Sequence, residues 1–382
     1  LRAYSGQKII ARLTHIYYGT HSINSGIKSL RLRCRSFFHL TTMNTTRCKL
    51  IALFFCGLTG TLPSIGQTNR FRVMEYNVEN LFDCKHDSLK NDNEFLPTAL
   101  RKWTYDKYRK KLIKLSKVIV AVGEEQVPDL VALCEVENEQ VLTDLTRYTP
   151  LKEVGYRYLI TNSPDERGID VALLYQPGRF KVLQHRAITI TPLKGQRATR
   201  DILHVSGKLI TGDTLDLFIC HLPSRATGAR RSRPHRIHAA THLKSSCDSL
   251  MRVRVEPRIL IMGDFNDPPE GFIIQEILQA NIPDNTLSRK RLYNLIPSQV
   301  PGTYRYHGEW SVLDHFLISG ILLDENTKFH TSQEDAAIVT FPFLLERDQK
   351  YGGYKPYRTY IGPRYNGGFS DHLPIRLDFH IK

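Results

Sequence analysis

Residues 129–138 read DLVALCEVEN. An unbroken apolar run, the signature of a strand buried on both faces, ends abruptly on Glu135 and Glu137. Three further stretches follow the same plan: 71–80 (FRVMEYNVEN), 259–267 (ILIMGDFND) and 369–375 (FSDHLPI). Each runs an apolar segment into, or out of, a polar and mostly acidic tip. Carboxylates brought within about 4 Å of each other repel by a few kcal/mol at a protein-like dielectric. A divalent cation is the simplest agent that holds such groups together. The pattern points to metal-dependent hydrolysis rather than to a binding module.

The rest of the chain frames these tips. Its 382 residues carry a formal charge of +15, unevenly spread. Residues 1–66 hold nine Lys or Arg and no Asp or Glu, so +6 of the +15 remains for 67–382. That mild excess suits an anionic substrate. Met43 opens a short basic stretch, an apolar run follows over 50–58, and Ser64 and Gly66 place small residues before Gln67. This is the layout of a secretory signal peptide over 43–66, too short for a membrane span. Residues 1–42 then read as an upstream translated extension. The expected location is secreted or periplasmic. Four cysteines follow Gly66 (Cys84, Cys134, Cys220 and Cys247), with no zinc-site spacing.

No repeat or linker divides 67–382, which reads as one domain. Strands are predicted over 71–78, 130–136, 170–175, 180–190, 203–210, 214–220, 259–262, 311–318 and 374–379. Helices are predicted over 106–122 and 234–251, and a third from Asp267, whose Asp-Pro-Pro-Glu start supplies a cap and a first turn. Hairpin signals mixed with crossover helices imply mixed sheets. Two of them packed face to face with helices outside bury this many apolar strands, giving an α/β fold of four layers, α/β/β/α. Residues 341–368 read as a long irregular loop.

Read in order, the polar tips form a set: Asn77 in EYNVEN, Glu135 in LCEVEN, His221 in CHLPSR, Asp264 and Asn266 in GDFND, Asp314 in VLDHFLIS, and Asp371 with His372 in FSDHLP. Over about residues 70–380 this set resembles the endonuclease/exonuclease/phosphatase superfamily of metal-dependent phosphoesterases. Each motif alone is weak, and their order carries the likeness. The resemblance implies Glu135 as principal Mg²⁺ ligand, with Asn77 and Asp371 beside it and Mn²⁺ as an alternative ion. Alone, Asn77 would read as a turn former. Glu137 is a second-rank candidate ligand, and Glu79 and Asn80 read as loop residues. Asp264 corresponds to the group that orients or deprotonates the attacking water, and Asn266 to the one that binds a phosphoryl oxygen. His221 and His372 correspond to donors to the scissile phosphate, one of them held by Asp314. Sequence does not choose which. His315 and Asp267 read as structural, the latter as a helix cap.

Two basic features concern substrate. Arg167 precedes a strand where a phosphate contact is expected, with a solvated loop residue as the alternative. Arg225 opens RATGARRSRPHR, the most basic segment after Gly66, which follows His221 directly and should rim the site. The implied activity is hydrolysis of phosphodiester bonds, with nucleic acid as the leading substrate and no protein partner or oligomer required. Inositol phosphates or sphingomyelin-like lipids are the alternative for the same machinery.

Overall fold

Alternation along one strand sorts the core into layers. The structure, a computed structural model, describes residues 70–382 apart from 226, 227 and 285. The expected extension (1–42) and leader (43–66) lie outside the described residues. In β1 (Arg70–Leu81), Phe71 and Val73 join one core cluster, and Met74, Tyr76 and Val78 another.

The first cluster lies between two mixed sheets. One runs β13 (Phe329–His330), β19 (Ile375–Ile381), β1, β2 (Leu130–Val136), β4 (Asp170–Tyr175), β3 (Arg157–Ile160), with β14 (Ala336–Ile338) also on β19. The other runs β5 (Phe180–Ile188), β6 (Ile202–Leu209), β7 (Thr214–His221), β8 (Ile259–Asp264), β12 (Asp314–Ser319), β9 (Leu292–Asn294). Ala132, Leu173 and Leu377 of the first sheet pack with Leu217, Met262 and Phe316 of the second. The outer clusters cover each sheet with helices. Leu115 and Ile119 of α1 (Tyr105–Gly123) and Leu142 of α2 (Glu139–Arg147) pack on Tyr76 and Leu133. Ala240, Leu243 and Cys247 of α3 (Ala229–Val253) pack on Phe218 and Ile261. The four-layer α/β/β/α sandwich is what the sequence predicts.

Each sheet contains one parallel pair, β1 with β2 and β7 with β8, and every other pairing is antiparallel. A parallel neighbour needs a crossover, and α1 and α3 supply the two. Asn77, Glu135, His221 and Asp264 therefore all sit at carboxyl ends of parallel strands, where open α/β sheets bind ligands.

Several elements differ from expectation. No α-helix starts at Asp267: its carboxylate does accept the Ile273 amide at 2.9 Å, but the segment makes only a π turn, Ile273–Ile277. The α3 helix begins five residues ahead of Pro234, which sits inside it. The strand expected over 311–318 splits, since Ser311 belongs to a hairpin of β10 (Tyr304–Tyr306) with β11 (Glu309–Ser311). Residues 341–368 hold two short hairpins, β15 (Leu345–Arg347) with β16 (Tyr354–Pro356) and β17 (Tyr360–Ile361) with β18 (Arg364–Tyr365). The α2 helix is absent from the sequence expectation, although Asn138 caps it by accepting the Val141 amide at 3.1 Å.

Gly263 precedes Asp264 with φ +146°, and a Cβ there would lie 1.8 Å from the Cys220 carbonyl oxygen. Gly263→Ala should destabilise the fold by about 3 kcal/mol or more. A urea midpoint unchanged from wild type would contradict this close approach of β7 and β8.

Candidate active site

Strand register assembles one half of the site. His221 pairs with Asp264 across β7–β8, and Asp264 pairs with Asp314 across β8–β12, so three reactive groups line one edge of the second sheet. From the first sheet, the Asn77 amide donates to Asp264 Oδ2 at 3.1 Å, bridging the sheets. His221 Nε2 lies 3.5 Å and His372 Nε2 3.8 Å from the same oxygen. The other Asp264 oxygen accepts the Asn266 amide at 2.8 Å. Glu135 Oε1 is 4.0 Å from His221 Nε2, and its Oε2 accepts the Asn80 amide at 2.8 Å. Asn266 donates its side-chain amide to the Leu222 carbonyl at 3.1 Å.

The partner of Asp314 is His372, whose Nδ1 meets Asp314 Oδ2 at 2.8 Å. His372 is fixed further by its backbone amide, which donates to Ser370 Oγ at 3.1 Å. Ser370 in turn donates to the Asn77 carbonyl at 2.6 Å. Buried His315 stays structural, between Asn294 and the Asp267 carbonyl.

The two imidazoles are driven apart electrostatically. Burial lowers the pKa of His372, but Asp314 and Asp264 outweigh it and hold the ring well above its ordinary range. Burial lowers His221 too, and there Arg200, Arg167 and His372 reinforce the effect, leaving it well below. The two rings are thus pushed in opposite directions, His372 toward the imidazolium and His221 toward the neutral form. Burial pushes the Asp264 carboxyl up to about 7, against the pull of His372 and with a further push from Asp314.

The carboxylates exceed what the protein itself neutralises. Asp314 Oδ1 is buried and has no hydrogen-bond partner among the described residues, and the same holds for Oε2 of fully buried Glu75. Burial raises Glu75, and Asp314 and Asp264 add to it. Burial raises Glu79 and Asp371 adds to it, although Lys111 and Arg358 oppose the shift. Hard oxygen donors crowded in this way fit a divalent cation. Asp264, Asp314 and His372 each bring a potential ligand atom within 4.8 Å of the others. Of the expected ligands, Asn77 meets Asp264 and Glu135 lies beside His221, both from the first sheet, while Asp371 immediately precedes His372 in the turn before β19.

Asp371 also accepts Arg358 Nη2 at 2.9 Å, and Arg358 reaches Glu79 Oε1 at 3.1 Å. Glu79 is thus buried and bound, not a loop residue at large: its Oε2 accepts the Thr359 amide at 2.6 Å. Glu137 is engaged by the Asp83 amide at 2.6 Å, and burial lifts it to about 8. Arg167 is exposed, its backbone amide on Asp165 at 2.9 Å. Buried Arg200 is the arginine beneath the site, donating to the carbonyls of His221 and Leu222 at 3.1 and 2.7 Å. Arg225 donates to the Asn266 carbonyl at 2.8 Å and to Asp267 at 2.7 Å. Lys111 is buried and donates to Thr359 Oγ1 at 2.6 Å. No sequence motif marks Lys111, Arg200 or Arg358, because isolated cations far along the chain carry no local signal. All four cysteines among the described residues are free.

Comparison with known proteins agrees with this fold. A search of curated proteins finds no match. Among solved structures, an endonuclease/exonuclease/phosphatase family protein from Bacteroides thetaiotaomicron aligns with TM-score 0.52 and 16% identity, over 82% of this chain and 98% of its own. A mannosyl-6-phosphatase from the same organism gives 0.51 and 16%, over 81% and 99%. A humanized TDP2 of D. rerio gives 0.51 and 13%, over 82% and 100%. At these identities the likeness is one of fold. The family model for the endonuclease/exonuclease/phosphatase family matches residues 72–381. The chain belongs to that family and is a phosphoric ester hydrolase.

Proposed function

We propose that this enzyme is a secreted, Mg²⁺-dependent phosphodiesterase that hydrolyses nucleic acid. The observation that carries the reaction is the convergence on Asp264 Oδ2 of Asn77 from one sheet and His221 from the other, with His372 beside them. Asp264 takes a proton from the attacking water, and its raised pKa suits a base working near neutrality. The His372 imidazolium, the neutral His221 ring and the Asn266 amide donate to phosphoryl oxygens as charge builds on them. Asp314 is a positioning residue that keeps His372 charged and aimed. Glu135, Asn77 and Asp371 would hold the Mg²⁺, for which Mn²⁺ could substitute. The ion, when bound, neutralises the phosphate and lowers the pKa of water.

Support for nucleic acid comes from aromatic side chains beside the site. The Tyr304 ring lies 5.0 Å from that of His372. Two residues along β10, exposed Tyr306 stacks on His307 at 4.0 Å, and His307 meets exposed Tyr351 at 5.7 Å. Exposed rings next to a phosphate site are what unpaired bases stack on. Export rests on the leader sequence over 43–66. Among the described residues no helix is long and apolar enough to cross a membrane.

The test is hydrolysis of single-stranded DNA, RNA, plasmid, inositol phosphates and sphingomyelin side by side. Nucleic acid should be cleaved fastest, EDTA should abolish turnover, and Mg²⁺ should restore it. Asp264→Asn should lower kcat by roughly 10³-fold without lowering the melting temperature. Preferential cleavage of the lipid or the inositol phosphates would overturn the substrate assignment, and wild-type turnover by Asp264→Asn the mechanistic one.

Asp314→Asn provides a pH test. The anionic partner raises the His372 pKa, so its removal lets the imidazolium lose its proton at lower pH. The alkaline limb of the pH–rate profile should move down, with activity at neutral pH falling roughly 10²-fold. An alkaline limb left in place would show that His372 does not act as the cation.

A further inference from the structure

Beside Asn266 the structure holds a cavity of about 400 Å³ lined by Arg225, Arg230, Arg233, Arg236, Asp267 and Phe272, among others. Four guanidinium groups thus face one carboxylate, and that carboxylate is already engaged. Its Oδ1 accepts Arg225 and its Oδ2 the Ile273 amide. We propose that this pocket binds a non-scissile phosphate of the substrate strand, next to the phosphate that Asn266 contacts. The proposal rests on the nucleic-acid reading above and adds a subsite to it.

Three of the four arginines are already held in place by the protein. Arg225 is tied to the Asn266 carbonyl at 2.8 Å, so the pocket and the phosphoryl-binding loop share a backbone group. Arg236 is buried and donates to Ser232 Oγ at 2.7 Å and to the Pro223 carbonyl at 3.3 Å. Arg233 lies over the Phe272 ring with its guanidinium carbon 4.2 Å from the centroid. A planar fork fixed in this way is the donor that matches phosphate, and ordering it beforehand removes part of the cost of binding. Arg230 is exposed at the pocket rim.

Helix stability does not account for these charges. Arg230 and Arg233 lie at the start of α3, whose first turn has no acidic residue and whose Gly228 cap offers no side chain. The positive end of a helix dipole disfavours cations and favours an anion. Burial depresses the Arg236 pKa, and although Asp267 opposes the shift, Arg225 and Arg233 add to it. A phosphate at the centre would relieve both conflicts.

The experiment compares two substrates, bis(p-nitrophenyl) phosphate with one phosphate and an oligothymidylate with many. The readout is the ratio of their kcat/KM values for the wild-type enzyme, for Arg230→Glu and for Arg230→Gln/Arg233→Gln. The ratio should fall about tenfold per arginine through KM on the oligonucleotide, and the slope of log KM against log salt should drop by about one for each arginine–phosphate pair removed. Arg230 is exposed, so the single variant keeps the question answerable should the double variant fold poorly. Wild-type cleavage of both substrates with an unchanged ratio in Arg230→Glu and in the folded double variant would overturn the pocket alone. A wild-type enzyme that cleaves the small diester and no oligonucleotide would overturn the nucleic-acid reading, and this proposal with it.

Discussion

Two hydrogen bonds, from the Asn77 side-chain amide to Asp264 Oδ2 and between His372 Nδ1 and Asp314 Oδ2, join the two halves of the site. Asn77 stands at the carboxyl end of one parallel strand pair and Asp264 at that of the other. Each pair is parallel because a helix crosses over between its strands, and each helix seals the outer face of its own sheet. The two sheets meet through apolar side chains spaced two apart, so a slip of one residue in β1 or β8 would send Asn77 or Asp264 to the wrong side. Packing of the central core and geometry of the polar cluster are therefore the same constraint. Gly263 shows how tight it is, since β7 and β8 approach there more closely than a Cβ permits.

That arrangement concentrates negative charge at a sheet edge, and the surrounding cations are deployed against it. Arg358 bridges Glu79 and Asp371 at the rim. Lys111 lies buried behind them, where burial pulls its pKa to about 8 while Glu79 and Asp371 hold it up. Arg200 faces the other way. It binds the His221 and Leu222 carbonyls and Asp165, and so sets the backbone that carries His221. Burial lowers the His221 pKa, and the same buried arginine adds to the effect. Desolvation pushes both imidazoles toward the neutral form, and the carboxylates beside His372 are what set the two rings apart.

The sequence reveals this site unevenly, for reasons that are physical. Glu135 and Asp264 stand out because a charged residue at the end of an apolar run contradicts its surroundings, whereas Asp371 follows Gly367-Gly368-Phe369-Ser370 and is picked out by the family resemblance. The strand 130–136 is legible to the residue, since burial on both faces leaves no alternative to an unbroken apolar run. Asp314 can be seen but not its partner: His221, His315 and His372 all border strands, and only the turn before β19 brings His372 to Asp314. Arg358 is hidden in a stretch rich in Gly and Tyr that folds as two hairpins. The helix expected from Asp267 fails instructively. Its capping residue does bind a backbone amide, but six residues on, and its other oxygen serves Arg225, so a true local signal is diverted into tertiary structure.

Backbone strain gathers around the same polar cluster. Glu79, Asn80, Glu135 and Asn266 all have φ between +50° and +68°. For Asn this is tolerable, whereas for Glu it costs on the order of 1 kcal/mol or more. At Glu135 the pairing of β2 with both β1 and β4 slips, so the strand ends its regular ladder where its carboxylate must turn into the cleft. The Asn80 amide, itself in a left-handed residue, is then the donor that receives that carboxylate. Two strained residues thus support each other across the gap between β1 and β2. An extended backbone at either position would send the Glu135 side chain along the pleat, to one face of the sheet, and away from Asp264. The contrast with Asp264 and Asp314, which stay in register in the β7–β8–β12 ladder, confines the strained carboxylates to the β1–β2 side of the cluster.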